Sequence, residues 1–224
     1  MDQARRDARW RRRRIIYNND GDDALYARDG AEHEHDVAEA LTVRTSGELV
    51  DDFLDARSNP LIGSQVDSNW YASCMAGLTF SHNTKLGGFY GKELPLELVE
   101  KYGRDALQVQ LDFSRENGME AVWALRMNDA HDAYPMGSRR WTYGLAPFKA
   151  AHPECMLGED GDWEKFAGIG RKSAWTQLDF SLPIARDHIF GIIEEVAQNY
   201  DVDAIGMEFF KYDPFFHESR EGEA

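Results

Sequence analysis

Carboxylates, amides and histidines collect where the short apolar runs of this 224-residue chain end. Asn18 and Asp20 follow the first run, Arg13 to Asn18, and Ser73 and His82 follow the second, Asn69 to Met75. Arg126, Asn128, Asp129, His131 and Asp132 close the third, Glu120 to Met127; Glu208, Lys211 and Asp213 close the fourth, Ala204 to Phe210. Two carboxyl groups facing each other across a glycosidic bond can cleave it. One protonates the leaving oxygen, and the other attacks or activates water. Glu208 is the first candidate, because it continues a strand face where a lone charge is costly to bury and a partner or substrate is required. Asp20 and Asp129 are the candidates for the second catalytic carboxylate. Asn18, His82, Arg126, Asn128, His131, Trp141 and Lys211 are the expected sugar-binding groups, with Trp141, Tyr143, Phe148 and Trp163 able to stack on pyranose rings from long loops.

A metal site is the competing chemistry. His33-Glu34-His35 has the His-x-His form of a ligand pair, and His82, His131 or Asp132 could complete it. The pair stands well after the end of the first run, among Ala31, Glu32 and Asp36, so no metal and no cofactor is expected. Neither a G-x-S-x-G elbow nor a Cys/His nucleophile arrangement occurs, which argues against acyl transfer.

The elements that must carry these groups alternate along the chain. After the first run, Ser46-Gly47-Glu48 opens a helix through Arg57. Pro95 to Tyr102 and Asp105 to Asn117 read as two more, the second ended by Gly118. Tyr134 to Lys172 is irregular. Ser181-Leu182-Pro183 then opens the clearest helix, with Ile189, Ile193, Val196 and Tyr200 as its buried stripe. Alternating strands and helices specify parallel strands with right-handed crossovers. On the fourth run Ile205, Met207 and Phe209 form a bulky face suited to covering helices, opposite Ala204, Gly206 and Glu208. Narrow faces that turn polar at their C-terminal ends suit a TIM-type (β/α) barrel with its site on that rim. An open doubly wound sheet satisfies the same alternation, although no G-x-G-x-x-G follows the first strand.

Composition bounds the classes. Hydrophobic residues make up 42% of the chain, with 12 Phe, 9 Tyr and 6 Trp, as in a folded, soluble domain. The net charge of −15 repels phosphate backbones, so nucleic acid is not an expected partner of the body of the fold. Arginines concentrate between Arg5 and Arg14, and residues 1–12 read as a basic arm before a barrel domain over 13–216 and a polar tail over 217–224. No secretory signal is legible, since only Ile15, Ile16 and Tyr17 follow the arginines. Cys74 and Cys155 stand far apart, which fits a reducing cytoplasm and neither a disulfide framework nor a zinc site. No apolar run approaches a membrane span.

Several segments together resemble the family-10-like glycosyl hydrolases. They are Arg13 to Asp23, the block from Arg104 to Met127 with Glu116-Asn117-Gly118-Met119-Glu120, and Arg126-Met127-Asn128-Asp129-Ala130-His131-Asp132. Phe148-Lys149, His152-Pro153-Glu154, Leu178-Asp179-Phe180, Arg186-Asp187 and Tyr200 to Ile205 extend the pattern. The resemblance spans most of residues 13–216 and implies a TIM-type barrel acting on, or binding to, carbohydrate. The family pattern has Asp where Glu208 stands, Gly where Ala204 stands and an acidic residue where Gly206 stands. A whole barrel takes about 250 residues, whereas four strands already occupy most of this chain. The expectation is therefore the first four β/α units, a half or incomplete barrel, with self-association through its open sheet edges. A non-catalytic carbohydrate-binding or degenerate barrel protein is the alternative function, and a metal-dependent hydrolase the second alternative.

Overall fold

The computed structural model describes residues 15–21, 49–90, 93–132, 145–158 and 174–209. Its elements run β1 (Ile16–Asn19), α1 (Leu49–Asp55), β2 (Ser68–Tyr71), β3 (Cys74–Ala76), β4 (Thr79–Phe80), β5 (Gly88–Phe89), α2 (Glu93–Tyr102), α3 (Ala106–Glu116), β6 (Glu120–Arg126), α4 (Pro147–Ala151), α5 (Pro183–Asn199) and β7 (Ala204–Glu208). The fold is mixed α/β. Four of the strands form one parallel sheet in the order β1-β2-β6-β7, and β3-β4-β5 form a second sheet. In the first sheet Ile16 lies opposite Ser68 and Ser68 opposite Glu120, while at the other end Asn19 lies opposite Tyr71 and Tyr71 opposite Trp123. The strands of this sheet are therefore spatial neighbours in chain order.

The chain divides into two compact units. The first comprises Met1–Ser73, Gly91–Ala124 and Tyr200–Gly206. Its helices form where the sequence supplies ends as well as a face. Asp105 caps α3 by accepting the Gln108 N–H at 3.0 Å, and Gly118, at φ +72°, follows the Asn117 C-cap. The buried side of α3 carries Leu107, Val109, Leu111 and Phe113. It also carries Gln110 and Ser114, which receive the Asn69 side chain from β2 at 3.4 and 3.0 Å, while Ser58 donates to Gln110 at 2.9 Å. Buried amides and hydroxyls thus satisfy one another between sheet and helix. Phe53 of α1 meets the Tyr71 ring edge-on at 6.4 Å. On the opposite face of β2, a Cβ at Gly206 would lie 2.7 Å from the Trp70 ring, so only glycine fits there.

The second unit comprises Cys74–Tyr90, Leu125–Asn199 and Met207–Ala224. β3 turns back on β4 through Gly77 at φ +57°, with Cys74 opposite Phe80. The expected run from Asn69 to Met75 is thus two strands. β2 ends at Tyr71, and Cys74 opens a hairpin of the second sheet. The segment after the short helix α4 pairs with 175–179, through Leu157 N–H to Gln177 O at 2.8 Å and Asp179 N–H to Cys155 O at 2.8 Å. On α5 the buried stripe is Ala185, Ile189, Ile192 and Val196 rather than one running through Ile193 and Tyr200, and Phe190 is exposed. Met207 is 55% and Phe209 46% exposed, so the bulky face expected to take covering helices is open on β7. Among the described residues β7 ends the sheet order and has a strand neighbour on one side only.

Candidate functional site

The loop that leaves β6 collects polar groups of the second unit. Asn128 closes a two-point clamp on one backbone residue: the Leu178 N–H donates to its Oδ1 at 2.6 Å, and its Nδ2 donates to Leu178 O at 3.1 Å. Asp129 is fully buried. Its Oδ1 accepts the Gly77 N–H at 2.8 Å and the His131 N–H at 2.9 Å, its Oδ2 lies 2.8 Å from His131 Nδ1, and the buried Arg126 guanidinium stands at 3.6 Å. Burial opposes ionisation of this carboxyl, but the hydrogen bonds and charge of His131 together with the charge of Arg126 outweigh it and lower its pKa to about 2. Asp132 accepts from Lys149 Nζ at 3.1 Å and from the Thr176 hydroxyl at 2.8 Å. Lys149, itself buried, also donates to Asp129 O at 2.9 Å. Two buried ion pairs, Arg126–Asp129 and Lys149–Asp132, are thereby neutralised and hydrogen-bonded, which is the condition under which such charges are tolerated inside a protein.

Glycine makes this packing possible. A Cβ on Gly77 would fall 2.1 Å from Asp132 Oδ2. The β3–β4 turn is therefore pressed against Asp132 while its N–H is held by Asp129. Cys74 closes the same turn by donating its thiol to Gly77 O at 3.0 Å, and burial pushes that thiol well above its ordinary range.

His131 is bound to Asp129 through Nδ1, yet a third of its side chain is exposed. Glu208, at the end of β7, is half-buried, and its carboxylate makes no hydrogen bond or ion pair among the described residues. The Met127 N–H donates to Glu208 O at 3.1 Å, so the ends of β6 and β7 run side by side. In a parallel ladder that bond sets Glu208 opposite Arg126, on a common face.

The expected site residues thus separate. Arg126, Asn128, Asp129, His131 and Glu208 come together in the second unit, where Asn128 holds Leu178 and Asp129 holds Gly77 and His131. His82 belongs to that unit as well but is fully buried against the Phe80 ring, at 4.9 Å between centroids. Asn18 is exposed on β1 and Asp20 half-buried just after it, in the first unit. Ser73 is buried and accepts the Trp123 indole N–H at 2.8 Å. Trp141, Lys211, His33 and His35 lie outside the described residues, and among those described no group of three His, Cys, Asp or Glu is placed to hold a metal ion. Thr176 and Gly77 were missing from the sequence reading, and Lys149 entered it only within the resemblance, with no role assigned. A lysine within Ala-Pro-Phe-Lys-Ala-Ala carries no mark of burial, and the buried acid that receives it lies seventeen positions away.

Neither the family models nor the curated proteins compared with this chain match it. No helix of the described residues is long and apolar enough to cross a membrane.

Proposed function

We propose that this protein is a glycoside-hydrolase-like (β/α)-barrel protein acting on O-glycosidic bonds, with Glu208 as its acid/base or nucleophilic carboxylate. The supporting observation is the uncommitted, half-buried carboxylate of Glu208, set opposite Arg126 where two parallel strands end. Strand C-termini are where barrel enzymes place their chemistry. Every buried acid of the neighbouring loop is already bonded, so Glu208 is the carboxylate left for a substrate. His131, with a third of its side chain exposed, is a polar group suited to sugar hydroxyls, and the strand order β1-β2-β6-β7 suits successive units of a barrel.

The buried state of Asp129 favours a second reading, a carbohydrate-binding protein without turnover. With both oxygens occupied and the carboxyl ionised down to about pH 2, Asp129 neither donates a proton nor reaches a sugar.

A panel of aryl glycosides and oligosaccharides, assayed with the wild type and Glu208→Gln, separates the readings. Hydrolysis by the wild type that falls by about a hundredfold or more in the variant, in line with loss of an acid/base or nucleophile, supports the first. Turnover unchanged in Glu208→Gln rejects it, and binding without turnover in both proteins supports the second.

A further inference from the structure

We infer that Trp70 is the stacking platform of a glycan-binding subsite in the first unit, with Asn18 as its hydrogen-bonding neighbour. This rests on the carbohydrate reading above and adds a sugar-recognising residue that the carboxylate argument does not use. The placement comes from the sheet. Asn69 and Tyr71 of β2 turn toward α3 and α1, where they meet Gln110, Ser114 and Phe53. Trp70, between them, stands on the opposite face. Asn18 lies opposite Trp70, and Ile16 opposite Ser68, in the β1–β2 register, so these four residues share that face.

The indole is fixed before any ligand arrives. Its Nε1 donates to the Ser68 hydroxyl at 2.9 Å, and that hydroxyl donates in turn to the Glu120 carboxylate at 2.8 Å. On the other edge the six-membered ring abuts β7, where a Cβ at Gly206 would lie 2.7 Å from Cζ3. An aromatic side chain held at two edges has little rotamer freedom left to lose on binding. Yet Trp70 is only half-buried, and Asn18 and Ile16 beside it are exposed. With its N–H committed, the indole offers a ligand its π surface, while the Asn18 amide offers donors and an acceptor. Glu120 is buried and engaged by Ser68, so the exposed groups of this patch are neutral. A neutral pyranose, with a C–H face to stack and hydroxyls at its rim, matches them. A second copy of the chain is a poorer occupant. One indole, one isoleucine and one asparagine expose roughly a few hundred Å² at most, against about 800 Å² per partner in a stable interface.

The test is NMR titration of the full chain, labelled on its tryptophan rings, with cellohexaose, xylohexaose and chitohexaose. At least one of the three should shift the Trp70 ring resonances saturably, with its own C–H protons moved upfield by the ring current. Trp70→Ala should then weaken that binding by about thirtyfold or more, as truncation of a tryptophan anchor does. Asn18→Ala, at an exposed position, should weaken it by about two- to tenfold. Unchanged affinity in Trp70→Ala overturns the inference. So does binding that leaves the Trp70 ring unmoved, or no binding of any of the three, even if Trp70→Ala fails to fold. Hydrolysis that depends on Glu208 while the Trp70 ring stays unmoved overturns the subsite alone. Sugar-dependent Trp70 shifts in a protein whose turnover is the same in Glu208→Gln overturn the Glu208 reading alone.

Discussion

Single residues in the β6 loop do structural work that their types only partly disclose. Asp129 and Asp132 look alike in sequence, three positions apart, yet each closes a different ion pair and both bear on Gly77. That glycine is the sharpest local constraint. Its φ of +57° disfavours any side chain, and an added methyl would meet Asp132 at 2.1 Å. Gly77→Ala is expected to destabilise the protein by about 2–4 kcal/mol, the range of backbone strain combined with disruption of a buried charged pair. A urea midpoint lowered with an unchanged slope would show it, and an unchanged midpoint would mean that the turn relaxes freely. The carboxylates and the histidine at the strand ends were legible in the sequence because charge breaks an apolar run there. Their partners were not, since Gly77, Lys149 and Thr176 come from segments far along the chain, and only folding brings them to the acids.

Elements whose own ends carry the signal were read closely. α3 has a side-chain cap at Asp105 and a glycine after Asn117, and it spans Ala106–Glu116 within the expected limits. β2 was read too long, because Ala72, Ser73 and Cys74 continue its composition while the backbone leaves for a different sheet. α5 illustrates a register error of one position. Ile192 and Ile193 are equally apolar, and the core accepts Ile192. The same helix carries His188, which stacks on Phe148 of α4 at 3.7 Å and 5° between planes. Burial lowers its pKa from 6.5 to about 4, with the nearby charge of His152 adding to the effect. A histidine whose folded pKa is depressed contributes stability that is complete above its unfolded value and is lost as pH falls through the window from 6.5 to about 4. Thermal melts across that window should fall in the wild type, and the fall should be shallower in His188→Phe, which keeps a ring against Phe148. Parallel curves for the two proteins would show that the stack does not sense the charge.

At the level of the whole molecule, alternation of strand and helix was enough to anticipate a parallel sheet, and the sheet has it, in sequential order. The second sheet, β3-β4-β5, was not anticipated, because strands of two or three residues leave no periodicity to detect. The face of β7 was assigned from alternation, which groups Gly206 with Ala204 and Glu208 but names neither the Trp70 ring that Gly206 meets nor what covers Met207. Burial depends on neighbours, and strand pattern alone does not name them. Self-association through sheet edges is a proposal of the same kind. It predicts a sedimentation coefficient that rises with protein concentration and a shift of the exposed Met207 and Phe209 environments as it does so.

The most direct test of a glycan site at the ends of β6 and β7 is to titrate isotope-labelled protein with oligosaccharides and follow residue-resolved NMR shifts, which needs no turnover. Saturable perturbations centred on Glu208, Arg126 and His131 are the predicted result. Saturable binding that perturbs other residues while leaving these three unmoved would contradict it.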